Sequence, residues 1–175
     1  MRIRLYSAAL ATAVFSTSAA AQAPVAAAFR DFASTEAKNL LQAAKDIPEA
    51  KYSYKPTPAQ MSVGDIVTHL SGGNDYLCSK ISGAAAPKRA ERAKGAAKEA
   101  LVGRLKETFQ FCESALAKVN DSNLAAKVPF FGDREVTRAH AMFAAVEDWG
   151  DHYSQLAVYL RLNGLLPPTA KRGQE

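Results

Sequence analysis

The sequence predicts an all-α fold, a four-helix bundle, and two observations carry that prediction. Four long segments place apolar residues three and four positions apart, which is the spacing of an amphipathic helix. No alternation of apolar and polar residues is long enough to build a sheet. Four such helices in a chain of 175 residues can bury their apolar faces against one another in one domain.

Helix one is predicted over about residues 26–45. Its apolar residues at helical spacing are Phe29, Phe32, Leu40, Leu41 and Ala44. The helix should end at Asp46-Ile47-Pro48, because a proline disfavours helical conformation in the residue before it. The segment to Gln60 contains two more prolines and is predicted to be an extended connection.

Helix two is predicted to begin after Ser62, because Ser62 and Asp65 have the spacing of a capping box. Gly83 is expected to end it. Its apolar stripe consists of Val63, Ile66, Val67, Leu70, Leu77 and Ile81. A charged linker over about residues 84–95 follows.

Helix three is predicted over about residues 96–119 and is broken by the polar segment 120–123. Its stripe consists of Leu101, Leu105, Phe109, Cys112, Leu116 and Val119. Phe130 and Phe131 stand in the turn before helix four and are expected to close one end of the core.

Helix four is predicted over about residues 135–162, with Asn163-Gly164 as its C-terminal cap. Its stripe consists of Met142, Val146, Trp149, Tyr153, Leu156 and Leu160.

The first 21 residues have the pattern of a secretory signal peptide. Arg2 and Arg4 precede an Ala-rich apolar run, and small residues follow at cleavage spacing, with cleavage expected after Ala21. Residues 22–175 would then form a single domain in the periplasm or outside the cell. No other apolar run reaches membrane length, so no membrane contact is expected after cleavage.

The charge of the mature chain argues against nucleic acid as a partner. Removing the signal peptide lowers Lys plus Arg from 22 to 20 against 17 Asp plus Glu, which leaves a net charge of +3. An unidentified small-molecule substrate is the expected partner. Homodimers are common among small bundles, although no surface stripe in the sequence requires one.

The two cysteines, Cys78 and Cys112, predict a disulfide, because export places them in an oxidising compartment. Each lies ~24 Å beyond the start of its own helix. The ~7 Å limit between their Cα atoms is therefore met only if helices two and three run parallel. The absence of any C-x-x-C excludes covalently attached haem c, zinc ribbons and thioredoxin-like chemistry.

The candidate metal site consists of His69, Asp148 and His152. Asp148 and His152 are four residues apart and therefore share one face of helix four. His69 lies at the edge of the helix-two stripe, ~180° from Cys78 on the helical wheel. Two histidines and one carboxylate form a known open metal site, which suits Zn, Ni, Mn or Fe. The competing interpretation is that the histidines are structural and bind no metal.

Four other polar residues on helices two and four are not assigned to this site. His140 lies about 120° from His152 on helix four and is not included. Glu147 and Asp151 fall away from the Asp148 flank and are expected to be solvated. Asn74 lies on the core side of helix two, where it could orient a ligand or be a hydrogen-bonded buried amide.

Three segments together resemble the DinB/YfiT-like superfamily of four-helix bundles, particularly its exported members. The segments are SVGDIVTHLSGGNDYLC (62–78), FQFCESALAKVNDSNL (109–124) and FFGDREVTRAHAMFAAVEDWGDHYSQLAVYLRLNGLLPP (130–168). The resemblance implies parallel second and third helices. It also implies a metal site with one histidine on helix two and a His-x-x-x-His on helix four. His69 and His152 match two of these positions, and Asp148 stands where the family has histidine.

Two kinds of function are expected, and only the first is implied by the resemblance. One is a metal-dependent hydrolase or transferase, since characterised relatives include transferases acting on low-molecular-weight thiols. The other is a non-enzymatic periplasmic binding or stress protein whose histidines are structural. No catalytic residue beyond the metal ligands is identifiable from the sequence.

Overall fold

A computed structural model describes residues 24–90 and 95–173. The predicted signal peptide lies outside these residues. The elements in chain order are the helices α1 (Pro24–Asp46), α2 (Val63–Ser82) and α3 (Lys98–Leu116), the strands β1 (Lys127–Pro129) and β2 (Glu135–Thr137), and the helices α4 (Arg138–Leu162) and α5 (Pro168–Arg172). Within the described ranges, no helix is both long and apolar enough to cross a membrane.

The predicted ends of α2 and the predicted C-terminal end of α4 are confirmed, because local hydrogen bonds determine them. The Ser62 side chain accepts from the Asp65 amide and the Asp65 side chain accepts from the Ser62 amide, which completes the capping box. Gly164 has a φ of 73° beyond the C-terminus of α4. The Leu165 amide then donates to the Leu160 carbonyl at 2.9 Å, as in a Schellman motif.

Helices α2 and α3 run parallel, as predicted, and they make the most extensive helix contact of the fold. Paired positions advance together along both helices. Near the N-termini of both helices, Gly64 faces Leu101. Closer to the C-termini of the two helices, the Asn74 side chain donates to the Thr108 hydroxyl at 3.1 Å. One helical turn beyond these residues, the disulfide joins Cys78 and Cys112, whose Cα atoms are 5.2 Å apart.

Two parallel helices need a crossover connection, and the crossover between α2 and α3 is anchored by Arg89. Its guanidinium donates to both carboxylate oxygens of Asp75 on α2. It also contacts the Glu107 carboxylate on α3 at 3.2 Å. A bidentate contact of this kind fixes orientation as well as distance. The crossover is therefore attached to both of the helices that it joins.

The core lies between the four long helices, with α4 packed against α1 and α2. Its largest fully buried side chains include Trp149, Tyr159, Leu40, Leu105 and Leu156. Two predictions about aromatic residues are wrong. Phe32 is 66% exposed, because the buried face of α1 is formed by Phe29, Ala33 and Leu40 instead. Of the two phenylalanines expected to close the core, Phe130 is buried and Phe131 is 50% exposed.

A short antiparallel hairpin was not predicted, and it shortens helix four. Strands β1 and β2 pair over three residues each, with Val128 opposite Val136. Strands of three residues are too short to give a readable alternation. Because residues 135–137 belong to β2, α4 begins at Arg138, where the Thr137 hydroxyl accepts from the His140 amide. Helix α3 is also shorter than predicted at both ends.

Candidate metal centre

Three side chains from α2 and α4 converge where these helices meet. His69 Nε2 lies 3.4 Å from Asp148 Oδ1, and His152 Nε2 lies 3.5 Å from the same oxygen. The two imidazole rings are 4.8 Å apart between centroids. One ligand atom from each residue can be chosen so that all three lie within 4.8 Å of one another. No other such group of histidine, cysteine and acidic side chains occurs among the described residues.

The three side chains differ in exposure, and this defines an inner and an outer side of the site. The side chain of His152 is 9% exposed, that of Asp148 28% and that of His69 48%. His152 therefore belongs to the edge of the core, whereas His69 faces solvent. The carboxylate of Asp148 lies between them and contacts both.

The rotation of α4 about its axis decides where Asp148 and His152 point. Trp149, which follows Asp148 directly, is 1% exposed and packs edge-to-face on Phe109 at 5.5 Å. Its indole Nε1 donates to Asn74 Oδ1 on α2 at 2.7 Å. This buried hydrogen bond ties α4 to α2 within one turn of the candidate ligands. Asn74 is thus a hydrogen-bonded buried amide rather than a direct ligand.

Asp148 and His152 form an ion pair in which each partner changes the pKa of the other. Burial by itself raises the pKa of Asp148, but hydrogen bonds and charge from His152 and His69 outweigh it and hold that pKa below 3.8. The hydrogen bond from Asp148 raises the pKa of His152 above 6.5, against the opposing effect of burial. Asp148 is therefore ionised at neutral pH, as a metal ligand must be.

The donor set and its spacing fit a divalent metal. Ligands at 2.0–2.1 Å in a tetrahedral site are about 3.3 Å from one another. The two contacts of Asp148 with the imidazoles, at 3.4 and 3.5 Å, are already close to that value. The two imidazoles would have to approach each other, and the half-exposed His69 can move without disturbing the core.

One contact that usually accompanies a metal-binding histidine is missing from the described part of the chain. Such a histidine normally donates its second ring N–H to a carboxylate, a carbonyl or water. Nδ1 of His152 is buried and has no hydrogen-bond partner among the described residues. The position of the His152 ring is therefore set by packing, by Asp148 and by the neighbouring Gln155 side chain.

A cleft of about 660 Å³ opens beside the three residues, between α2, α4 and the tip of the hairpin. Its floor includes Gly72 and Gly73, and a Cβ added at either glycine would meet nothing within 4 Å. Tyr76 and Phe131 form one wall, with their rings stacked at 4.7 Å between centroids. The cleft is large enough for a small molecule to lie next to the candidate ligands.

The sequence placed some of these residues correctly and missed others. His140 lies away from the cluster and packs against Phe130 instead. Glu147 and Asp151 are exposed, as expected, but they also line the cleft beside Asp148. Phe131 was assigned to the core. Gly72-Gly73 within α2 was the one local signal for an open cleft, because paired glycines are costly inside a helix.

A model of the DinB superfamily matches residues 33–156, which covers all four long helices in whole or in large part. The chain belongs to the DinB superfamily. The matched range contains His69, Asp148 and His152. No curated protein has a sequence that matches this chain.

Solved structures agree on the DinB fold. A DinB-like protein from Bacillus subtilis is 23% identical, with a TM-score of 0.63, and the match covers 78% of this chain and 92% of that one. A DinB-like protein from Bacillus cereus is 16% identical, with a TM-score of 0.64, over 80% and 93%. A mycothiol-dependent maleylpyruvate isomerase is 12% identical, with a TM-score of 0.61, over 75% of this chain and 60% of the isomerase. At these identities the likeness concerns the fold alone.

Proposed function

We propose that this DinB protein binds one divalent metal ion through His69, Asp148 and His152. The observation that carries the proposal is the convergence of these ligand atoms within 4.8 Å of one another, beside an open cleft. Each ligand type is in the protonation state that metal binding requires or can reach it near neutral pH. Zn, Ni, Mn and Fe(II) are all compatible with two imidazoles and one carboxylate.

The reaction class that we propose is metal-dependent hydrolysis or group transfer. A metal held by three protein ligands keeps positions open, where it can polarise a substrate or lower the pKa of a bound nucleophile. The likeness to a mycothiol-dependent isomerase supports thiol-dependent group transfer as one form of this chemistry. Asp148 makes the donor set harder than three histidines would, which favours oxygen-rich substrates and harder metals.

The residues of this chain position the metal ligands and shield part of the cleft from water. His152 and Asp148 are held by the packing of α4, so two of the three ligands are arranged before any ligand binds. His69 is free to close on the site from α2. The wall formed by Tyr76 and Phe131 shields the same cleft from water on one side.

We further propose that the protein acts outside the cytoplasm, in the periplasm or in the medium. The signal-peptide pattern of residues 1–21 supports this location. The Cys78–Cys112 disulfide supports it as well, because disulfides persist in oxidising compartments. Thiol cosubstrates of the cytoplasm would not be available there, which favours the hydrolase form of the proposal.

The first test is the metal content of the protein, purified without chelator or affinity-tag histidines and measured by elemental mass spectrometry. We expect near-stoichiometric metal in the wild type and little in His152→Ala. His140→Ala is the matched control, because His140 is on the same helix outside the cluster. Equal metal content in wild type and His152→Ala would reject the site.

The second candidate function is a binding or stress protein with structural histidines. The contacts of Asp148 with both imidazoles favour it, because a carboxylate between two histidines forms a stable network without a metal. Wild-type protein that takes up no metal after incubation with Zn, Ni, Mn and Fe(II) would support this alternative.

A further inference from the structure

The charge of the cleft is opposite to the charge of the chain. The whole sequence has 22 Lys and Arg against 17 Asp and Glu. The residues that line the cleft include three acids, Glu147, Asp148 and Asp151, and no lysine or arginine. A divalent metal would be paired with Asp148, which leaves Glu147 and Asp151 as two further negative charges at the rim.

Glu147 and Asp151 occupy the same flank of α4, one turn apart. Like charges at this spacing destabilise a helix. Among the described residues, Glu147 and Asp151 make no ion pair, and Asp151 accepts a hydrogen bond from the uncharged Gln155 at 2.7 Å. The charge of Asp151 also acts on the neighbouring His152. Packing in the core does not require either side chain, because both are exposed.

The wall opposite these acids is apolar and partly open. The Phe131 ring stacks on Tyr76 and is still 50% exposed, so a ligand can bury the remaining surface. The Lys80 ammonium lies 5.3 Å from the centroid of the Tyr76 ring, and Lys80 does not line the cleft.

We propose that the cleft binds a small organic cation whose charge faces Glu147 and Asp151 and whose apolar part packs on Phe131 and Tyr76. The inference rests on the proposed function for the reactive role of the metal, and it assigns the substrate class of the same site. An anionic ligand would meet two carboxylates on its way to the metal and would be repelled. A cation is attracted by them, and it can lie next to a metal that Asp148 already partly neutralises.

The test uses three probes of one shape: choline, its uncharged carbon isostere 3,3-dimethylbutan-1-ol, and 3,3-dimethylbutanoate. Binding to the metal-loaded protein is followed at low salt by the amide NMR shifts of Gly72 and Gly73, which report on the floor of the cleft. We expect choline to bind about 3-fold to 10-fold more tightly than the alcohol, and the carboxylate to bind most weakly. A carboxylate that binds as tightly as choline, or more tightly, would overturn the proposal.

Charge variants separate a local effect from the overall charge of the protein. In Glu147→Gln/Asp151→Asn, the preference for choline over the alcohol should disappear. The matched control Asp31→Asn/Glu113→Gln changes the net charge equally, at exposed sites in another cleft, between α1 and α3, and should keep the preference. A preference that persists in the first variant, or is lost in the second, contradicts the proposal.

The same experiment distinguishes failure of this inference from failure of the proposed function. Wild-type protein that takes up no metal rejects the metal centre, and the three probes then measure the charge preference of the cleft without it. Wild-type protein that binds metal but shows no preference for choline rejects the organic cation alone.

Discussion

At the scale of single residues, Asp148 is the centre of the candidate site, because its carboxylate contacts both histidines. Its two contacts, at 3.4 and 3.5 Å, are long for hydrogen bonds between charged groups. A histidine at this position would repel two other imidazolium ions at low pH, whereas the carboxylate stabilises them. Aspartate in place of a third histidine therefore changes how the site responds to protons.

The metal-free protein should gain stability from this ion-pair system in a defined pH range. The pKa of Asp148 is lowered on folding, so its contribution is present above about pH 3.8 and is lost as the pH falls through its folded pKa. The pKa of His152 is raised, so its contribution is present below about pH 6.5 and is lost as the pH rises through its folded pKa.

We therefore expect the difference in unfolding free energy between wild type and Asp148→Asn to be largest between these two limits, near pH 5, and to shrink at pH 9. Urea unfolding of chelator-treated protein across this range measures the difference. Asp31→Asn is the control, since Asp31 is exposed on α1 and makes no contact with the cluster. A difference that keeps growing toward pH 9 would show that His152 does not gain a proton from folding next to Asp148.

At the scale of secondary-structure elements, α2 presents a different face to each neighbour. Cys78 joins it to α3 and His69 faces α4, as their ~180° separation on the helical wheel predicted. Asn74 lies between His69 and Cys78 along α2. It forms hydrogen bonds with both neighbouring helices, to Thr108 on α3 and to Trp149 on α4. A small rotation of α4 would displace the ligand atoms by more than the ~0.2 Å that a metal site tolerates.

Removing the Asn74 contact should weaken metal binding. In Asn74→Leu, the buried Trp149 Nε1–H loses its partner, so we expect a loss of about 1–3 kcal/mol in stability. We also expect roughly tenfold weaker metal affinity, as is typical when supporting contacts of a metal site are lost. Chelator competition measures the affinity, and urea unfolding measures the stability.

Thr108→Val is the matched control for this prediction. It removes the other hydrogen bond of the Asn74 amide, toward α3, and leaves the bond to Trp149 in place. Metal affinity should therefore fall in Asn74→Leu and change little in Thr108→Val. Equal affinities in all three proteins would make Asn74 a residue of the core alone.

The disulfide should stabilise the pair of parallel helices. It closes a loop over a sequence separation of 34 residues, and a loop of that length corresponds to about 3–4 kcal/mol of stabilisation in the chain-entropy model. Urea unfolding with and without reductant should show this difference as a lower midpoint in the reduced protein. Alkylation of the exported protein without reductant should label neither cysteine, and labelling of both would refute the disulfide.

At the scale of the whole molecule, the contacts that hold α2 against α3 lie apart from the candidate site. The disulfide, the crossover and Arg89 hold α2 and α3 together on one side of the bundle. The cluster and its cleft lie on the other side, between α2 and α4. The side that α2 shares with α3 is covalently fixed, and the side that it shares with α4 is open to a ligand.

Export is the prediction that concerns the molecule as a whole. We expect the mature protein to begin at Gln22, because cleavage after Ala21 fits the small residues that follow the apolar run. The intact mass of protein recovered from a periplasmic or culture fraction tests this. Detection of the full-length mass in the cytoplasmic fraction only would contradict it.

The sequence by itself determined the features that depend on near neighbours. Helical periodicity, the Ser62 capping box and the Gly83 and Gly164 ends were readable, because their hydrogen bonds span only a few residues. The spacing of Asp148 and His152 likewise placed both on one face of a helix. The parallel course of α2 and α3 also followed from the sequence, because a disulfide limits two Cα atoms to a short distance.

Only the tertiary structure decided which faces are buried and what surrounds the site. Small residues such as Ala141 and Ala145 lie in the core, and they rotate α4 so that His152 is buried rather than at the flank. Phe131 stacks on Tyr76 across a separation of 55 residues, which no local pattern encodes. Such contacts depend on how whole helices and the hairpin pack, so the aromatic wall and the acidic rim of the cleft became visible only in three dimensions.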